Sequence, residues 1–83
     1  MSEQEILARL RRIEGQLRGI QKMIEDHRGC EPVLQQMMSA RTALDGAAAH
    51  VVTTYVDECL AQKPPEEARA DIARVIKLLS KVG

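Results

Sequence analysis

The stretch CEPVLQQMMSARTALDGAAAHVVTTYVDECLAQKPP, residues 30–65, decides the fold. It opens on Cys30-Glu31-Pro32, and proline suits a first helical turn because no backbone donor is needed there. No breaker follows before Lys63-Pro64-Pro65; Gly46 and the Thr53-Thr54 pair only weaken local propensity. Val33, Met37, Ala40, Leu44, Ala47 and Val51 recur at alternating spacings of four and three, which is one apolar seam of a helix. A second stripe, Ala48, Val52, Tyr55 and Cys59, runs beside it in the second half. The segment reads as one helix over about residues 31–61, about 45 Å long at 1.5 Å per residue.

The flanks follow the same period. Ser2-Glu3-Gln4-Glu5 has the form of a capping box, with Ser2 as N-cap. Ile6, Leu10, Ile13, Leu17, Ile20 and Ile24 then define a first helix over about residues 3–26, broken at His27-Arg28-Gly29. Gly15 and Gly19 inside it each cost up to about 1 kcal/mol relative to alanine, which marks them for close helix packing. Beyond Pro64-Pro65, Glu66-Glu67 favours a new helix start. Ile72, Val75, Ile76, Leu79 and Val82 give a third helix, over about residues 66–82, its apolar face. The expectation is an all-α chain of three helices in a single domain, residues 1–83. Composition agrees: hydrophobic residues make up 45%, yet there is no Trp, no Phe and one Tyr, which disfavours a β-core.

The second helix is too long and too apolar for the other two to cover. A symmetric dimer is the economical remedy, and two-fold pairing of long helices runs them antiparallel. No run approaches the roughly 20 apolar residues of a membrane span. The polar start and the pair of cysteines read as a cytoplasmic protein with reduced thiols. No nucleophile–base constellation suggests an enzyme.

Cys30 and Cys59 stand at opposite ends of the second helix, about 43 Å apart at 1.5 Å per residue. A disulfide needs Cα atoms within about 7 Å. They meet only if an antiparallel partner brings its Cys59 to this Cys30. Cys30 lies at a helix N-terminus near Arg28, a setting that favours thiolate. Cys59 lies on a helix body with apolar neighbours. One reactive and one resolving thiol make a redox switch; the alternative is two ordinary small core residues. Two thiolates also suit Cu(I) or Zn, but a stable site usually takes a third or fourth ligand. His50 falls on the opposite helix face from Cys59, Tyr55 faces the site but is a poor soft-metal ligand, and His27 is a loosely placed candidate near Cys30.

Residues 9–20, RLRRIEGQLRGI, then Cys30-Glu31-Pro32-Val33-Leu34-Gln35-Gln36, Ala43-Leu44 and Cys59, resemble the copper-sensitive-operon repressor family, which also holds nickel/cobalt, formaldehyde and persulfide sensors. The resemblance covers about residues 6–62. It implies antiparallel helical hairpins paired as a dimer, assembling into a tetramer that binds operator DNA without a helix-turn-helix. It also implies release of DNA on ligand binding or thiol chemistry. In the family's copper sensors the site is a Cys, then a His and a Cys one turn apart from the partner. The matching positions here are Cys30, Tyr55 and Cys59, so the middle ligand is replaced. Two cysteines without that His are similar to the persulfide-sensing branch, in which reactive sulfur species link the two thiols across the interface. Residue 2 is Ser rather than the Pro of a formaldehyde sensor, and a nickel/cobalt site needs more His than this chain has.

Net charge is zero, with twelve basic and twelve acidic side chains, so bulk charge implies no nucleic acid. Arg9, Arg11, Arg12, Arg18 and Lys22, however, face only Glu14 in their span. By resemblance Arg9, Arg12, Gln16 and Arg18, with Arg41 from the second helix, are the DNA-contact candidates. The expected function is a repressor sensing persulfide or polysulfide through Cys30 and Cys59, with no cofactor. The alternatives are a Cu(I) sensor using the same cysteines and a helical adaptor without a DNA role.

Overall fold

The computed structural model describes residues 2–81 and contains three helices: α1 (Glu3–Glu25), α2 (Cys30–Gln62) and α3 (Pro65–Leu79). Val82, expected on the apolar face of the third helix, lies outside the described residues. Ser2 caps α1 as its sequence suggests, its Oγ accepting from the Glu5 N–H at 3.2 Å. The end of α1 is built by backbone geometry. Asp26 N–H donates to the Lys22 carbonyl, and Arg28 N–H reaches back to Met23 at 3.0 Å. His27 turns into the left-handed region at φ 55° and Gly29 follows at φ 95°. These two positive-φ residues reverse the chain within a few residues, so α2 starts at Cys30 and returns along α1. At its other end Lys63 closes α2 by donating its N–H to the Cys59 carbonyl at 3.0 Å. Thr53 and Thr54 do not interrupt α2; their hydroxyls donate back to the Ala49 and His50 carbonyls, each at 3.0 Å.

Each predicted seam divides into two rows of seven-residue period. Ile6, Ile13 and Ile20 are buried, 6–9% exposed, against a row of α2 in which Ala40 and Ala47 are 6% and 2% exposed. The second row of α1 stays open: Leu10 is half-buried, Leu17 and Ile24 exposed. So does the second row of α2, where Met37, Leu44 and Val51 are 45–51% exposed. The two open rows adjoin, and Leu17, Met37, Ala40 and Leu44 line one groove between the helices. Gly15 and Gly19 do not sit at the α1–α2 contact. A Cβ on Gly19 would meet nothing within 4 Å, and one on Gly15 would meet only the Arg18 side chain, 3.7 Å away. Both face away from α2 because they lie on the opposite side of α1 from the Ile13 row.

The described chain extends 54 × 26 × 13 Å with a radius of gyration of 16.8 Å. A compact chain of this length would have a radius of gyration of about 12 Å. The molecule is a flat slab one helix thick, with α2 as its spine and α1 and α3 each packed on α2 but not on each other among the described residues.

Candidate thiol site and basic surface

Cys30 is the first residue of α2 and is exposed. Gly29, its N-cap, offers no side chain to the free N–H groups of the first turn. Beside the thiol lies a surface pocket of about 330 Å³ lined by Ile24, His27, Arg28, Gly29, Cys30 and Val33. The structure thus places His27, Arg28 and Cys30 around one pocket, as their neighbouring positions in the sequence predict.

Cys59 stands in the last turns of the same unbroken helix, 3% exposed. Its surroundings differ from the apolar environment expected. Tyr55 stands one turn before it, and its side-chain interaction with Cys59 is the main cause holding the phenol above its usual pKa, with burial adding to it. Lys63 lies one turn after Cys59, and its ammonium pairs with the Asp71 carboxylate of α3. Arg74 pairs with the other Asp71 oxygen. Asp71 is only 7% exposed, so this is a carboxylate sunk under α3 and neutralised from two sides. The Lys63 bond holds Asp71 below its usual pKa against the opposing effect of burial, with Arg74 adding to the lowering. Lys63 is raised in turn, chiefly by Asp71. The sequence did not reveal this cluster. Its one local signal was the Asp71–Arg74 spacing of three; the Lys63–Asp71 pairing depends on how the Pro64 turn folds α3 back.

No group of three or more His, Cys, Asp or Glu among the described residues is placed to hold a metal ion. His50, half-buried, stands nine residues before Cys59 and so half a turn away around α2.

The basic run of α1 divides between two faces. Arg9, Arg12 and Gln16 line one shallow pocket with Ile13 and Ala43 at the α1–α2 seam, and the Arg9 guanidinium lies over Gly46, 4.0 Å from where a Cβ would stand. Arg18 is nine residues from Arg9, about 180° around the helix, and faces away with Arg11 and Lys22. Arg41 lines the neighbouring apolar groove with Leu17 and Leu44.

The family model described as metal-sensitive transcriptional repressor matches residues 2–81. This chain belongs to that family. The repressor is 35% identical over 81 residues to the copper-sensing transcriptional repressor CsoR of Bacillus subtilis, an alignment covering 93% of this chain and 80% of that protein. It is 30% identical over 78 residues to the transcriptional repressor RcnR of Salmonella typhimurium (strain LT2), covering 93% and 87%. Among solved structures, the nickel-responsive transcriptional regulator InrS superposes with a TM-score of 0.86 at 31% identity, over 95% of this chain and 93% of that one. The three-helix architecture of the repressor is thus the architecture of a known regulator. CsoR and RcnR are transcriptional repressors and InrS is a transcriptional regulator, and the family is a non-enzymatic one. No helix of the repressor, among its described residues, is long and apolar enough to cross a membrane.

Proposed function

We propose that the repressor binds operator DNA as an antiparallel dimer, or as a tetramer made of two such dimers, and that Cys30 of one subunit and Cys59 of its partner form its sensing site. The observation that carries this reading is the unbroken α2. With both thiols on one 33-residue helix, about 43 Å apart, no internal motion short of unfolding brings them together, whereas an antiparallel copy does so twice. The open rows through Leu17 and Ile24 of α1 and Met37, Leu44 and Val51 of α2 supply the apolar surface for that copy. Arg9, Arg12 and Gln16, sharing one pocket, are the leading phosphate contacts, and Arg18 and Arg41 extend the basic surface onto other faces.

The effector that suits this donor set is a persulfide or polysulfide. The exposed Cys30 thiolate attacks the outer sulfur of a low-molecular-weight persulfide, giving a Cys30 persulfide and releasing the free thiol. The partner's Cys59 then attacks the Cys30 sulfur as a thiolate, forming the disulfide and expelling hydrosulfide. The external persulfide is the oxidant, and each proton lost by a cysteine leaves on the departing sulfur. Joining the ends of two α2 helices shifts the population toward a spacing of basic faces that no longer matches the phosphates. Polysulfide treatment should yield a Cys30–Cys59 link between subunits in a mass spectrum and a loss of operator affinity. Unlinked thiols with unchanged DNA binding would rule the reading out.

The second reading, a Cu(I) sensor, is supported by the copper-sensing relatives. Two thiolates from different subunits suit Cu(I), which accepts low coordination, while the Tyr55 oxygen is a hard third donor. Titration with Cu(I) against a strong chelator separates the two. Stoichiometric binding by the native protein favours copper. Tight binding gained only on Tyr55→His, by about 100-fold or more, favours sulfur chemistry.

A further inference from the structure

The helix that follows Cys59 and folds back on α2 is itself loosely held. Among the described residues α3 touches α2 and not α1, and its outer apolar residues Ile76, Leu78 and Leu79 stand 45–68% exposed. Its buried footing is short: Ala68 at 1% and Asp71 at 7%, one turn apart, with Ile72 and Val75 half-buried. The connection to α2 is Lys63-Pro64, both extended, at φ −117°, ψ 151° and φ −57°, ψ 148°. One ion pair spans that connection, from the Lys63 ammonium to the Asp71 carboxylate two turns into α3. The Arg74 pair, by contrast, stays within α3 and is largely exposed. Lys63 also holds the Cys59 carbonyl through its own N–H. One residue thus ends the turn that carries Cys59 and ties down the helix that follows it.

We propose that α3 is a hinged cover over Cys59, latched across Lys63-Pro64 by the Asp71–Lys63 ion pair, and that unlatching is what lets the buried thiol react. The proposal does not depend on whether Cys59 then meets the partner's Cys30 persulfide or a metal. Few buried apolar contacts place α3 at the low-stability end of the fold, where segments open locally without global unfolding. A carboxylate this buried is poorly tolerated without its cation, so the latch favours two states, closed or open, over a graded range. Cys59 then reacts only from the open state, at a rate set by the opening equilibrium.

The test is alkylation of Cys59 by N-ethylmaleimide in full-length protein carrying Cys30→Ser, followed by intact mass. Asp71→Asn and Lys63→Met should each speed labelling about three- to tenfold, the range expected for one partly exposed charged hydrogen bond. Asp71→Glu, which keeps the carboxylate, should stay near the parent rate, and Arg74→Met should change it less than Lys63→Met. Ile13→Ala serves as the control, since it weakens the α1–α2 core without touching the hinge. Unchanged labelling in Asp71→Asn and Lys63→Met overturns the proposal. So does an equal acceleration in Ile13→Ala, which would make Cys59 exposure a matter of general stability. In Lys63→Met the Arg74 guanidinium still pairs with Asp71, so that variant remains readable should Asp71→Asn fail to fold.

Discussion

Asp71 makes its contribution to stability only while ionised. Its pKa is held below the ordinary 3.8, first by Lys63 and then by Arg74, against burial. A lowered folded value means the stabilisation is complete above the unfolded pKa and disappears as pH falls through the folded one. Lys63, raised above 10.5, gives the mirror case: its share is complete below 10.5 and is lost as pH rises through its folded value. Thermal melts should therefore show a loss of melting temperature below about pH 4 that Asp71→Asn flattens. A variant whose acid limb matches the parent's would show that the cluster adds nothing. This residue also shows where sequence reading stopped. Cys30, Cys59 and Tyr55 could be singled out because sulfur and a hydroxyl at helical spacing are local features. Lys63 and Asp71 are eight residues apart across a proline turn, and nothing in the spacing said that α3 would return onto the end of α2.

Among the elements, the α1–α2 turn carries the clearest local strain. His27 adopts φ 55°, a conformation that costs a non-glycine residue about 1 kcal/mol. His27→Gly should raise unfolding free energy by about 0.5–1 kcal/mol in urea titrations. A loss instead would mean that its side chain contributes more at the Cys30 pocket than its backbone costs. Helix positions were readable because a 3.6-residue period over five or more turns is hard to mistake, and proline and glycine mark the breaks. The division of each seam was less so. A three-four pattern covers a face wide enough for two contacts, and only packing decided that Ile6, Ile13 and Ile20 face α2 while Leu17 and Ile24 do not. The glycines misled for a related reason: Gly15 and Gly19 suggested a tight crossing, yet they lie on the side of α1 turned away from α2.

The whole molecule is a slab with one apolar flank left open, and that flank governs what the chain can do alone. Leu44 and Leu17 line the same groove, about half exposed. Replacing Leu44 by Glu in the proposed dimer core would bury an unpaired carboxylate. Light scattering should then give a monomer at concentrations where the parent is a dimer or larger, and an unchanged mass would place the interface elsewhere.

The most direct test of the head-to-tail arrangement mixes two variants, isotope-labelled Cys30→Ser and unlabelled Cys59→Ser, each carrying a single thiol. After co-refolding and mild oxidation with diamide, the labelled Cys59 peptide should be joined to the unlabelled Cys30 peptide, and neither variant should cross-link alone. Links within each pure variant, joining Cys59 to Cys59 or Cys30 to Cys30, with none in the mixture, would contradict the antiparallel pairing on which the sensing site rests.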